Sequence, residues 1–319
     1  MSVISLNNLN IFFKNNHKDI NIVKNLNLQI QNSQTYGLVG ESGCGKSITA
    51  YSIMGILPQM AYSKGEIVFM GQDLSSLSPE EMRKLRGNKI SMIFQEPMTS
   101  LNPVLTIGNQ ISEVLITHKS MSKKDAKDKS VELLTSVKIP NPLLRFKDYP
   151  HQLSGGMRQR IMIAMAIACN PSLLIADEPT TALDVTIAAQ ILSLLNQIQE
   201  DFHTSILLIT HDLGIISENT VMTSVMYAGS IVEQCPTAEL FNNPLHPYTI
   251  GLLNSLPGDK SVSLTPIKGS VPRPGNLPPG CKFSDRCTIM TAECSISEPE
   301  LKQYSQGHLA RCIKIKGAA

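Results

Sequence analysis

Apolar residues mark out several elements before any motif is considered. Leu26-Asn-Leu28-Gln-Ile30 alternates apolar and polar positions, the period of a half-buried strand. Tyr36 to Val39, Leu173 to Ala176 and Ile206 to Ile209 are short continuous apolar runs, which suit strands buried on both faces of a parallel sheet. Ala188, Ile191, Leu192, Leu195, Ile198 and Phe202 recur at helical spacing just before the last of these runs. Strands alternating with helices predict a sheet covered by helices. A second helical region is expected over roughly residues 106–170, with Ser122 and Asp125 placed to start a helix. Pro257, Pro266, Pro272, Pro274, Pro278 and Pro279 then exclude regular structure, so residues 257–280 read as a linker and 281–319 as a small appendage.

Composition narrows the class. The 319 residues are 42% hydrophobic and 17% charged, enough for a sizeable core and against wholesale disorder. A net charge of +2 does not suggest nucleic-acid binding, and the absence of Trp argues against aromatic stacking platforms. The longest apolar run, the nine residues Ile161 to Cys169, is far short of the ~18 that span a bilayer. The opening MSVISLNNLN has neither a basic nor an apolar leader segment, so the chain is expected in the cytosol with its seven cysteines reduced.

Three groups of residues carry candidate chemistry. Gly40-Glu-Ser-Gly-Cys-Gly45-Lys46-Ser47 follows a strand and opens a helix, the context in which G-x-x-x-x-G-K-S cradles phosphate. Backbone N–H groups and the helix N-terminus attract the anion, Lys46 reaches the β- and γ-phosphates, and Ser47 ligands Mg²⁺. The apolar run ending at Ala176 leads into Asp177 and Glu178. A carboxylate at that strand end suits a Mg²⁺ water shell, and its neighbour can take a proton from water attacking the γ-phosphate. Leu153-Ser154-Gly155-Gly156-Met157-Arg158-Gln159 opens a helical run and offers a second anion-binding N-terminus. One phosphate loop has no need of it, so two chains are expected to sandwich each nucleotide.

With these residues in place, nearly the whole chain resembles the ATP-binding subunits of ABC transporters. The resemblance implies a P-loop NTPase α/β core, over residues 1–256, with a helical subdomain at about 96–170. It identifies residues 40–48, Gly40, Glu41, Ser42, Gly43, Cys44, Gly45, Lys46, Ser47 and Ile48, as the Walker A loop and its first helical turn. Phe13 resembles the adenine-stacking aromatic, with Phe12 the competitor, and Gln95 the Q-loop glutamine, a third Mg²⁺ ligand beside Ser47 and Asp177. Ser154, Gly155, Gly156 and Gln159 belong to the signature motif that acts on the partner's ATP. Leu173 to Glu178 resembles Walker B with Glu178 as catalytic base, Asp184 lies in the D-loop, and His211 is the switch histidine. The resemblance also implies ATP hydrolysis coupled to transport.

Glu96 to Val104, Tyr149 to Leu153 and Asn243 to Thr249 narrow the resemblance to dipeptide and oligopeptide importers, a group that includes nickel importers. Cys235 before Pro236 and the Met222-Thr223 pair depart from the usual pattern without touching the ATP motifs. The implied partners are a second ATPase subunit (a different one, with an identical one as runner-up), two membrane permeases and an extracytoplasmic solute-binding protein. Nucleic acid is not implied. The implied place is the cytoplasmic face of the cell membrane, peripherally bound. A soluble ABC ATPase of DNA repair or translation is the rival, but no heptad run lies between Gln95 and Ser154 and there is one P-loop.

The region 257–319 resembles the C-terminal extension of the peptide members. Cys281, Cys287, Cys294 and Cys312 give C-x5-C-x6-C-x17-C. Zinc modules grip metal with close C-x₂₋₄-C pairs, and none is present. Wider loops, and the matching extension of related subunits, point to a structural [4Fe–4S] cluster. A zinc Cys₃His site using His308, or four reduced thiols, are the alternatives.

Overall fold

The computed structural model describes residues 2–15, 18–96, 100–256 and 267–315. In chain order the first elements are β1 (Ser2–Phe13), β2 (Ile20–Gln31), β3 (Thr35–Val39), α1 (Lys46–Met54), β4 (Ala61–Phe69), β5 (Gln72–Asp73), α2 (Pro79–Leu85) and β6 (Ile90–Ile93). Next come α3 (Ile107–Lys119), α4 (Lys123–Ser136), α5 (Pro142–Arg145), α6 (Gly155–Ile167), β7 (Leu173–Asp177), α7 (Val185–Phe202) and β8 (Ser205–Thr210). The chain ends with α8 (Leu213–Asn219), β9 (Met222–Tyr227), β10 (Ser230–Pro236), α9 (Thr237–Asn242), α10 (Pro247–Leu253), β11 (Lys302–Ser305) and β12 (His308–Ala310). Contacts divide these elements into two compact units, one of residues 31–34 and 76–207, the other of 2–30, 35–75 and 208–319. The division falls within β8.

In the unit of residues 76–207, β6 and β7 pair in parallel from Ile90↔Leu173 to Ile93↔Ala176. Every residue of both strands is buried, which is why Leu173 to Ala176 of β7 reads as an unbroken apolar run. The expected helical region is found as α3 to α6. Its starts are set locally, since Thr106 and Ser122 accept the backbone N–H groups of Asn109 and Asp125 as N-caps. A buried Ser112–Ser130 hydroxyl pair at 2.9 Å links α3 to α4.

The other unit holds two sheets. One is antiparallel in the order β2-β1-β4-β5; the second runs β11-β12-β10-β9-β3 within this unit. β3 and β9 are parallel, from Tyr36↔Met222 to Val39↔Val225, while β9–β10 and β10–β12 are antiparallel.

The C-terminal extension departs from expectation. Residues 257–266 of the proline-rich linker lie outside the described residues, and 267–280 contain neither helix nor strand. Beyond them the extension does not stand apart as an appendage. β12 continues the sheet from β10, and Phe283 lies in one core with Tyr227 and Tyr248, ring centroids 5.2 and 5.4 Å away. His308 Nε2 pairs with Glu233 Oε1 at 2.8 Å, and the same buried carboxylate accepts the N–H groups of Leu245 and His246. An extension of this size has too little apolar surface of its own, and it is ordered by what it borrows from β10 and α10.

Candidate functional site

The residues singled out in the sequence fall into two groups, one in each unit. In the unit holding β3, the chain leaves that buried strand at Val39 and enters the phosphate loop. The loop is shaped by glycine at three points. Gly43 and Gly45 have φ of +78° and +112°, where a side chain is strained. A methyl group at Gly40 would overlap the Met226 carbonyl oxygen and lie 2.8 Å from Cys44 Sγ. α1 then starts at Lys46 with Gly45 as its N-cap, no side-chain cap and no acidic residue in the first turn. A helix N-terminus with neither an acidic first turn nor a side-chain cap favours an anion.

Lys46 is buried, at 5% exposure, and folds back on the loop. Its Nζ donates to the Gly40 carbonyl at 2.7 Å and the Glu41 carbonyl at 3.1 Å, with Cys44 Sγ 3.9 Å away. Burial pushes the Cys44 thiol up, so it stays protonated and packs as a small apolar group. In the same unit His211 is exposed directly after β8. Asp212 caps α8 by accepting the Gly214 N–H at 2.7 Å, which holds the turn carrying His211. Phe13 ends β1 half-buried; its neighbour Phe12 is committed to Tyr62, stacked at 5.1 Å.

In the other unit Asp177 ends β7 fully buried, and Glu178 follows with φ of +46°. That left-handed residue turns the chain sharply at the strand end. Gln95 Nε2 donates to Glu178 Oε2 at 2.9 Å, and Thr181 Oγ1 donates to the same oxygen at 3.0 Å. The glutamine expected among the Mg²⁺ ligands thus rests on the carboxylate expected to act as base. Thr181 had no distinguishing signal in the sequence.

Ser154 caps α6 by accepting the Met157 N–H, and Asp184 caps α7 by accepting the Ile187 N–H at 2.9 Å. The two helix starts meet: a methyl group at Gly156 would lie 2.7 Å from an Ile187 methyl, and one at Gly155 would meet only Leu183, at 3.8 Å. Ser154 and Gly155 are exposed, whereas Gln159 is buried. Ser154 therefore presents a helix N-terminus to solvent, with Leu183 and Ile187 packed beside it.

Cys281, Cys287, Cys294 and Cys312 line one pocket, with His246, Pro247 and Phe283 among its other walls. The Cys281 N–H donates to the Cys294 carbonyl at 2.7 Å, and the Lys314 N–H to Cys312 Sγ at 3.4 Å. Burial is the main reason the thiols of Cys281, Cys287 and Cys312 are pushed up, and the neighbouring thiols add to it. His308 is not among the pocket's walls, being held by Glu233, so the Cys₃His alternative is not the arrangement found. Among the described residues, the only trio of potential ligand atoms all within 4.8 Å is Glu233, Cys235 and His308.

Comparison with known proteins identifies the family. The family model "ABC transporter" matches residues 23–181, and "Oligopeptide/dipeptide transporter, C-terminal region" matches 232–294. The chain is 51% identical over 316 residues (98% of it, 96% of the relative) to the oligopeptide transport ATP-binding protein AppD of Bacillus subtilis. It is 48% identical to the dipeptide transport ATP-binding protein DppD of the same organism, over 97% of this chain and 94% of that one. It is 45% identical to the oligopeptide transport ATP-binding protein OppD of Salmonella typhimurium, over 98% and 93%. Among solved structures, the ATP-binding cassette MJ0796 in a dimeric post-hydrolysis state bound to ADP and Pi matches with a TM-score of 0.66 at 27% identity, covering 73% of this chain and 98% of that one.

Proposed function

The chain belongs to the ATP-binding subunits of ABC importers for oligopeptides and dipeptides, and on that premise we propose how its residues hydrolyse ATP. The observation that carries the reading is the glycine-built loop with Lys46 folded onto its carbonyls. ATP phosphates take the N–H groups of Gly43 to Ser47, and the Lys46 ammonium leaves its two carbonyls for the β- and γ-phosphate oxygens. Phe13 stacks on adenine. Ser47, Gln95 and Asp177 are oxygen donors of the kind Mg²⁺ takes. The ion, when bound, neutralises charge on the phosphate oxygens. Glu178 accepts the proton of the attacking water, and the bonds from Gln95 and Thr181 hold its carboxylate in place. His211 steadies the γ-phosphate in the transition state.

Ser154, Gly155, Gly156 and Gln159, with Asp184 behind them, act on the nucleotide of a second ATPase subunit. The exposed cap at Ser154 supports this, since its N–H groups are presented to another chain. The partner is a different subunit of the same family, and permeases and a solute-binding protein complete the importer. No helix among the described residues is long and apolar enough to cross a membrane, in keeping with a subunit that docks on permeases at the cytoplasmic face. Dilute isolated chain should hydrolyse ATP slowly and accelerate when the partner is added; full activity at high dilution contradicts the shared site. In vesicles carrying the assembled importer, peptide delivered by the binding protein should stimulate hydrolysis and accumulate inside. Stimulation by nickel instead would reassign the cargo.

The four cysteines hold a [4Fe–4S] cluster with a structural role. The support is that all four line one pocket and that their spacing lacks the close C-x₂₋₄-C pairs of zinc modules. The cluster, when bound, ties the ends of the extension together. Anaerobically purified protein should absorb near ~400 nm and carry about four irons per chain; colourless protein with neither iron nor zinc would show four thiols alone.

A further inference from the structure

We propose that Arg286, in the C-terminal extension, is a positioning residue for the phosphate loop and acts on it through Glu41. This rests on the reading of residues 40–47 as the ATP-binding loop.

Arg286 closes a short 3-10 turn, Ser284–Arg286, between Cys281 and Cys287. Its guanidinium grips the Glu41 carboxylate with both prongs, Nη1 to Oε2 at 2.9 Å and Nη2 to Oε1 at 3.1 Å. The fork is itself held. Nε donates to the Lys268 carbonyl at 2.9 Å, and the guanidinium lies over the rings of Tyr227 and Phe283 at 5.7 and 6.0 Å. The Arg286 side chain is 6% exposed and that of Glu41 28%. This is unlike a solvated surface pair, whose geometry is loose and whose contribution is small.

Glu41 is a handle on the loop because its backbone is engaged on both sides. Its N–H donates to Tyr248 Oη at 3.0 Å, and its carbonyl accepts Lys46 Nζ at 3.1 Å and the Cys44 N–H at 3.3 Å. Arg286 therefore fixes the residue that parks Lys46. It also cancels a carboxylate charge that would otherwise stand in the loop that receives a polyanion, where like charges repel. A lysine in its place could supply charge but not the two-pronged grip.

The test is Mg-ATP binding by the full chain at equilibrium, with ATPase kinetics in the assembled importer. Arg286→Gln should weaken Mg-ATP binding about ten-fold, the scale of coupling between a residue that acts through another and a bound ligand. KM for ATP should rise by a similar factor, with kcat within about two-fold. Adding Glu41→Gln to that variant should weaken binding no further, because the grip it would break is already gone. A purely structural role predicts the opposite, with the second change adding to the loss. Wild-type affinity in Arg286→Gln, or a double variant weaker than the single, overturns the proposal. If Arg286→Gln does not accumulate as folded protein, Arg286→Lys decides: a roughly three-fold loss supports the two-pronged grip, and wild-type affinity overturns it. Lys46→Ala separates the two levels. If it abolishes Mg-ATP binding while Arg286→Gln does not weaken it, the phosphate loop stands and the Arg286 role falls. If Lys46→Ala binds Mg-ATP normally, the loop reading itself fails.

Discussion

Glu178→Gln is expected to lower the kcat for ATP hydrolysis by about 10³-fold, within the range a positioned proton acceptor supplies, and to leave ATP binding intact. An amide has almost the shape of the carboxylate. Its carbonyl oxygen can accept from Gln95 Nε2 and Thr181 Oγ1 as Oε2 does now, at 2.9 and 3.0 Å. The left-handed backbone at this position, φ +46°, is no harder for glutamine than for glutamate. What is lost is the ability to take a proton from water. Variant protein should therefore bind ATP and remain in the closed, nucleotide-sandwiched dimer, because the step that releases it does not occur. Single-turnover hydrolysis in the assembled importer, beside equilibrium ATP binding, separates the two effects. Turnover near the wild-type rate would remove Glu178 from the role of base.

Gly40→Ala is expected to abolish measurable ATP binding and to cost about 2 kcal/mol of stability, the scale of forcing atoms into filled space. The added methyl group would overlap the Met226 carbonyl oxygen. That carbonyl belongs to β9, whose neighbouring residue Val225 pairs with Val39 immediately before the loop. Neither strand can retreat without breaking the pairing that sets the loop's starting point, so the loop itself must shift. Gly43→Ala is the control for stability without nucleotide. A methyl group there meets nothing within 4 Å, and only the φ of +78° opposes it, a strain of about 1 kcal/mol. Denaturant unfolding of the two variants, with ATP titration of Gly40→Ala, checks both statements. A larger stability loss at Gly43 than at Gly40 would show that backbone strain, not space, governs the loop.

Much of this protein is legible in its sequence, and the legible parts share one property: they are encoded by residues close together. β3, β7 and β8 are continuous apolar runs because both faces are buried. α4 and α6 begin at Ser122 and Ser154 because a side-chain oxygen satisfies an N–H three residues on. The phosphate loop is legible for the same reason, Gly43 and Gly45 being demanded by local φ values.

The tertiary structure decided the rest. Gln95 and Glu178 are 83 residues apart, and Arg286 and Glu41 are 245 apart. No periodicity or spacing rule joins such pairs. The same holds for β11 and β12, short and partly polar strands, of which β12 is placed by pairing with β10 and β11 by pairing with β12. It holds as well for His308, whose spacing from Cys312 suggests a metal ligand but whose ring is bound to Glu233. A local hydrogen bond or an apolar period leaves its mark in neighbouring residues. A contact made only when distant segments fold onto one another leaves none, so the sequence by itself determined the buried strands β3, β7 and β8, the local helix caps and the phosphate loop, and only the folded chain decided what steadies them.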